Sequence, residues 1–175
     1  SMDEVLLDRF SASMRDRLGV LCLSSTGSSE LLWAHYADGH RGFALQFSSN
    51  HEFFQPEPGD SETLSGAQPV IYGKERPSLT EIIDENNQLE LYFFRKSSAW
   101  AYEEEWRIVK PIAKADETFD RERELVALFK FPPKALDAVI LGHRASSALV
   151  QTIRASLDAN PDYRHAKLLR SEFAK

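Results

Sequence analysis

Two short stretches hold most of the side chains whose types and spacing suit chemistry. The first is Trp33-Ala34-His35-Tyr36-Ala37-Asp38-Gly39-His40. On a helix, residues three or four apart share a face, so Leu31, Leu32 and His35 lie close together with Tyr36 beside them. This places His35 at the edge of the core. Its ordinary role there is a packed, hydrogen-bonded histidine, and for a lone helical histidine that role has the higher prior. The functional role rests on the crowd around it. Tyr36, Asp38, His40 and Arg41 gather at one helix end, and Gly42 lets the backbone pass close. Such an end can hold a ligand, and histidine moves its proton near neutral pH. His35 and His40, five apart, point about 140° apart on an ideal helix. An organic ligand is therefore expected there rather than a metal.

The second stretch is Trp100-Ala101-Tyr102-Glu103-Glu104-Glu105-Trp106-Arg107-Ile108-Val109. Strand side chains alternate between faces. On a strand over 103–110, Glu103, Glu105, Arg107 and Val109 share one face, and Glu104, Trp106 and Ile108 the other. The bland alternative is a solvated face with Glu105 and Arg107 paired, a contact worth roughly 0–1 kcal/mol. The sharper expectation is a cleft in which a carboxylate orients a ribose hydroxyl, acts as a base or stabilises a cationic transition state. In a dry site, like charges two residues apart would raise one of the two pKa values.

The elements that must position these stretches are legible from periodicity. An amphipathic helix is expected over 3–18, from Leu6, Phe10 and Met14 at intervals of four. A strand follows over 20–24, then a turn rich in N-cap residues and a helix over 30–37 with Gly39 at its C-terminal cap. Residues 43–47 read as a strand and 48–67 as a long loop with Pro56, Pro58, Gly59 and Gly66. A strand over 69–73 and a helix over roughly 79–98, carrying Leu89, Tyr92, Phe93 and Lys96, come next. Strands over 103–110 and 124–131 are joined by a charged segment. A short apolar strand over 138–142, a helix over 146–157 and a last strand over 166–169 complete the chain. The sum is an α+β fold, a mixed and mostly antiparallel sheet flanked by helices, in one domain over 1–175.

Bulk composition bounds the function. The chain has 175 residues, 42% of them hydrophobic and 27% charged, which favours a packed core over disorder. No apolar run approaches the ~20 residues of a membrane helix. The start, Ser1-Met2-Asp3-Glu4, has no basic or apolar region of a signal peptide. Cys22 is the only cysteine, which rules out an internal disulfide and fits the cytoplasm. It is expected to be a buried strand thiol. The net charge of −6 argues against nucleic acid as a partner. Phosphate-loop, dinucleotide-fingerprint, zincin and nucleophile-elbow motifs are missing.

Taken together, Leu32-Trp33-Ala34-His35-Tyr36-Ala37-Asp38-Gly39-His40-Arg41-Gly42-Phe43-Ala44-Leu45-Gln46-Phe47, the later Val70-Ile71-Tyr72, Lys96, and Trp100 through Ile108 follow a recognisable order. Phe131-Pro132-Pro133-Lys134-Ala135-Leu136 and Val139-Ile140-Leu141-Gly142 continue it. Over roughly 20–145 the chain resembles the mostly bacterial family called domain of unknown function 2971. It departs from that family in showing no Tyr-containing strand or Phe-Asn-Asp-Pro-Phe-like turn before the first helix, which implies a truncated or shortened relative. The family's layout is similar to the ADP-ribosyltransferase fold, an analogy at fold level. The resemblance implies a nucleotide or NAD site, with Glu105 or Glu103 as the late carboxylate and His35 or Tyr36 as the earlier partner. On this expectation Glu105, Glu103 and His35 are catalytic, and Trp33, Tyr36, His40, Arg41, Lys96 and Arg107 bind substrate. NAD would then be a substrate, in a role linked to stress or phage defence. The alternative is a non-catalytic sensor or interaction domain with His35 and Tyr36 as core residues.

Overall fold

A computed structural model describes residues 12, 14, 17–56, 66–74, 92–121 and 124–172. The chain divides into two compact units. The first comprises Ser1–Ser25 and Phe54–Lys130, the second Thr26–Phe53 and Phe131–Lys175.

In the first unit, β1 (Leu18–Ser24) pairs antiparallel with β6 (Glu105–Pro111). The short β3 (Gln68–Pro69) pairs with the other edge of β6, giving the order β1-β6-β3. β4 (Ile71–Gly73) and β5 (Arg95–Ser97) form a parallel pair. β7 (Glu117–Arg121) and β8 (Glu124–Leu128) form an antiparallel hairpin. The core gathers Phe93, Phe94 and Val109, with Met14, Leu18 and Tyr92 packed against them. Ile108 is likewise almost fully buried, so β6 is covered on both faces. That suits a central strand carrying apolar side chains at consecutive positions.

In the second unit, α1 (Glu30–Tyr36) leads to β2 (Phe43–Phe47). β9 (Leu136–Leu141), α2 (Ser147–Ala159) and β10 (Lys167–Arg170) follow. β9 is the middle strand, with β2 antiparallel on one side and β10 parallel on the other. Parallel neighbours need a long crossover, and α2 supplies it. Its Ile153 packs with Leu136, Val139 and Leu141, flanked by Phe47, Phe131, Leu149 and Leu157. The hydroxyl of Ser146 caps this helix by accepting from the Leu149 N–H at 3.2 Å, as an N-cap serine does.

Among the described residues, four of the strand pairings are antiparallel and two parallel, so the α+β class with mostly antiparallel strands holds. The strands form several small sheets rather than one. The expected helix over 30–37 ends at Tyr36, and those over 146–157 and strand over 166–169 shift by one or two residues. Three expectations need correction. Lys96 lies on β5, not on a helix. Glu103 ends a 3-10 turn, Ser98–Glu103, and does not belong to the strand. The charged segment before the 124–131 strand itself holds β7. Lys96 and residues 117–121 gain strand partners that periodicity does not reveal, whereas Glu103 is cut off from the strand by the left-handed Glu104 after it. The helix expected over 3–18 falls largely outside the described residues, as do 57–65 of the loop and 79–91 of the later helix. The described part of that loop includes a 3-10 turn, Glu52–Phe54, whose Phe54 is buried.

Candidate functional site

The first unit contains a buried cluster of four charges. Two are carboxylates that the chain directs to the same place by a backbone device. Glu104 adopts left-handed angles, φ 44° and ψ 49°. A side chain other than Gly, Asn or Asp rarely takes them, and they cost of order 1–3 kcal/mol. The conformation is pinned from β1. Ser25 donates its N–H to the Glu104 carbonyl at 3.1 Å and its hydroxyl to the Glu104 carboxylate at 2.8 Å. Ser24 donates its hydroxyl to the Glu103 carbonyl at 2.7 Å. The result is that Glu103 and Glu105, either side of the reversal, meet one cation. The Lys96 ammonium donates to Glu103 and, at 3.0 Å, to Glu105.

Arg107 completes the cluster. Its Nε donates to Glu105 Oε1 at 2.8 Å and its Nη2 to Oε2 at 3.0 Å, a two-pronged pair along one strand. Its Nη1 donates to the Phe93 carbonyl. The alternation expected along β6 is therefore the one found, with Glu105 and Arg107 on a common face. The exposure expected of a solvated face is not. Glu103 and Glu105 are only 4% and 5% exposed.

Three further side chains close around these charges. Tyr72 Oη accepts the Glu105 backbone N–H at 2.8 Å, fixing the start of β6 from β4. The Trp100 ring stands 5.2 Å from the Lys96 nitrogen, within cation–π range. Cys22 lies opposite Arg107 in the β1–β6 register, and its thiol hydrogen-bonds Glu105. The residue is exposed, which corrects the expectation of a buried thiol. Its neighbours nonetheless control it. Partial burial of the sulfur, then the hydrogen bond and charge of Glu105, push its pKa up to about 11.

The electrostatics follow from who donates to whom. Burial alone would raise Glu105, but hydrogen bonds from Arg107, Cys22 and Lys96 outweigh it and bring the carboxyl down to about 2. Partial burial opposes the charge on Lys96, and the hydrogen bonds to Glu103 and Glu105 overcome that and raise its pKa. Arg107 is raised by the same balance, with Glu105 as its partner. By formal charge, the two carboxylates and two cations of the cluster sum to zero. The raised carboxylate expected from two acids in a dry site does not arise at Glu105, because both cations sit on it. A carboxylate held so low is a poor general base and a permanent negative charge.

The other predicted site residues belong to the second unit. Trp33 is buried, and its indole N–H donates to the Gly27 carbonyl at 2.9 Å. After α1 the chain makes three consecutive left-handed residues, Asp38, Gly39 and His40. This turn closes through the Gly42 N–H onto the Ala37 carbonyl at 2.8 Å and the His40 N–H onto the Trp33 carbonyl at 3.2 Å. It docks on the end of β9. Arg144 donates its N–H to the His40 carbonyl at 3.0 Å, and Gly142 to the Gly42 carbonyl at 2.9 Å. A Cβ on Gly142 would lie 2.1 Å from the His40 carbonyl oxygen. His40 stacks parallel to Trp33 and tilts against His143, with ring centroids 6.5 and 4.5 Å away. Arg41 is spent on a two-pronged surface pair with Asp38, at 2.8 and 3.0 Å.

His35 is exposed and Tyr36 is 67% exposed. Neither sits at the core edge, and the reading of both as core residues is overturned. In a seven-residue helix with Trp33 and Ala37 as the buried points, the adjacent positions 35 and 36 turn outward. The first unit thus brings together Lys96, Glu103, Glu105 and Arg107, and the second brings together Trp33 and His40. Sequence reasoning missed Tyr72, Trp100 and Cys22 as cluster members and His143 as the neighbour of His40. Only Tyr72 and Trp100 carried any signal, through the order of the family-like blocks. Among the described residues, no group of three or more His, Cys, Asp or Glu could hold a metal ion.

Residues 32–108 match the family described as "Protein of unknown function (DUF2971)", and over that stretch the chain is similar to this family. The matched stretch includes α1 from Leu32 onward, the left-handed turn, and Lys96, Glu103, Glu105 and Arg107. No curated protein and no solved structure matches the chain.

Proposed function

We propose that the charged cluster of the first unit is a nucleotide site, with NAD as the ligand and transfer of ADP-ribose as its reaction. The observation that carries this reading is the convergence of Glu103 and Glu105 on one ammonium by way of a strained residue. Backbone strain held by several hydrogen bonds is characteristic of functional sites. Half-exposed Trp100 offers a ring for stacking beside it. In this reaction the bond between ribose C1′ and the nicotinamide nitrogen breaks, and the electron pair leaves with neutral nicotinamide. An acceptor nucleophile then bonds to C1′ and gives up its proton. Carbon C1′ passes through a cationic, oxocarbenium-like state. A carboxylate ionised down to about pH 2 suits that centre as a source of field rather than as a base. The relation to the ADP-ribosyltransferase fold stays an analogy. The test is nicotinamide release from NAD by the chain and by Glu103→Gln and Glu105→Gln. Release that is lost in both variants while they stay folded supports the reading. Absence of both NAD binding and release in the unaltered chain removes it.

A second reading has its own support. Every charge in the cluster is already matched within it, as in a non-catalytic sensor or interaction domain, although His35 and Tyr36 are not the core residues that reading first assumed. That reading expects neither NAD nor ADP-ribose to raise the melting temperature, and no turnover.

A further inference from the structure

The cluster is layered. The two carboxylate side chains are 6% exposed, whereas Lys96 and Arg107 are 21% and 16% exposed. The acids therefore form the inner layer and the cations the outer one. An ammonium has three N–H donors and a guanidinium five. Lys96 uses two on Glu103 and Glu105. Arg107 uses two on Glu105 and one on the Phe93 carbonyl. Among the described residues, one N–H of Lys96 and two of Arg107 are left over. Both groups donate to the same atom, Glu105 Oε2, each at 3.0 Å. The two cations thus stand no more than two hydrogen-bond lengths apart.

We propose that Lys96 and Arg107 together bind a phosphoryl or pyrophosphate group, and that Glu103 and Glu105 also anchor the two cations from beneath. Rigid cations with spare donors, anchored on buried counter-ions, are the chemistry that recognises phosphate oxygens. Arg107 supplies planar paired donors and Lys96 a compact charge. Because the cluster is neutral overall, the attraction comes from directed N–H groups at short range. This deepens the nucleotide reading and rests on it for the natural ligand, but the anion site stands or falls separately.

The probe is inorganic pyrophosphate, titrated at low ionic strength into the full chain, with ADP-ribose and adenosine as companions. Pyrophosphate is expected to bind and to compete with ADP-ribose, whereas adenosine does not compete. Lys96→Gln is expected to weaken pyrophosphate by about tenfold or more, and Lys96→Arg to restore most of it. Failure of pyrophosphate to bind the unaltered chain, or equal binding by a folded Lys96→Gln, overturns the inference. Should Lys96→Gln not fold, acetylation of Lys96 in the unaltered chain decides. Protection of Lys96 by pyrophosphate supports the site, and unchanged acetylation at saturating pyrophosphate overturns it. Pyrophosphate binding without nicotinamide release would leave this site standing and remove ADP-ribose transfer. Nicotinamide release that ignores Lys96 would do the reverse.

Discussion

Glu105 accepts from Arg107, Lys96 and the Cys22 thiol, and removing its charge leaves two partly buried cations short of a partner. Glu105→Gln is expected to lower stability by about 2–4 kcal/mol, slightly under the usual loss for a broken buried pair, because both cations keep some solvent. Urea unfolding at pH 7 measures it. The pH dependence has a fixed sign. The Glu105 carboxyl lies at about 2 in the folded chain against an ordinary 4.5. Its contribution is complete above pH 4.5 and is lost as pH falls toward 2. Glu105→Gln should flatten that acid limb. Cys22 behaves oppositely, at about 11 against an ordinary 9.0. Its contribution is present below pH 9 and lost as pH rises through 11. Alkylation of Cys22 is accordingly expected to be slow at pH 8 despite the residue's exposure. Glu105→Gln should speed it, since Glu105 supplies two of the three causes of the raised pKa. Unchanged alkylation kinetics in that variant would show that the thiol does not feel this carboxylate.

Elements place these residues through backbone contacts, and two substitutions separate the essential from the incidental. Gly142→Ala sets a methyl group against the His40 carbonyl, whose atoms are main chain and cannot swing aside. A loss of about 2–3 kcal/mol is expected, measurable as a drop in melting temperature together with altered fluorescence of Trp33. His35→Ala, on the exposed side of α1, is expected to change stability by less than about 0.5 kcal/mol. A loss of 1–3 kcal/mol at His35 would instead revive a core role for that ring. The contrast matters because the two residues belong to one locality. Within the block Trp33–Gly42, the rings of Trp33 and His40 stack at the left-handed turn that docks on β9, while His35 and Tyr36 face outward.

At the scale of the molecule, each unit is assembled from two separated pieces of chain. The second unit's sheet has β9 at its centre, and β9 lies beyond Lys130. A fragment ending at Lys130 retains β2 without the strand that pairs with it. Such a fragment is expected to lose the protected amides of residues 43–47 and the buried environment of Trp33, as hydrogen exchange and fluorescence would report. Residues 32–108, the stretch that matches the family, run through both units and include neither β1 nor β9.

The sequence by itself determined the class of fold and most elements, because alternation and 3.6-residue periodicity are local and survive without knowledge of partners. It also singled out Lys96, Glu103, Glu105 and Arg107, by residue type and by the order of family-like blocks. It could not determine that Glu103 leaves the strand, since that depends on a left-handed Glu104 held by Ser24 and Ser25 from a strand some eighty positions earlier. Nor could it determine the charge state of Glu105, which is set by Lys96 and Arg107 meeting it after folding. Propensity sees neighbours along the chain. Burial, register and the pairing of charges belong to neighbours in space, and only the tertiary structure decided that the outer layer of this cluster is cationic and the inner one acidic.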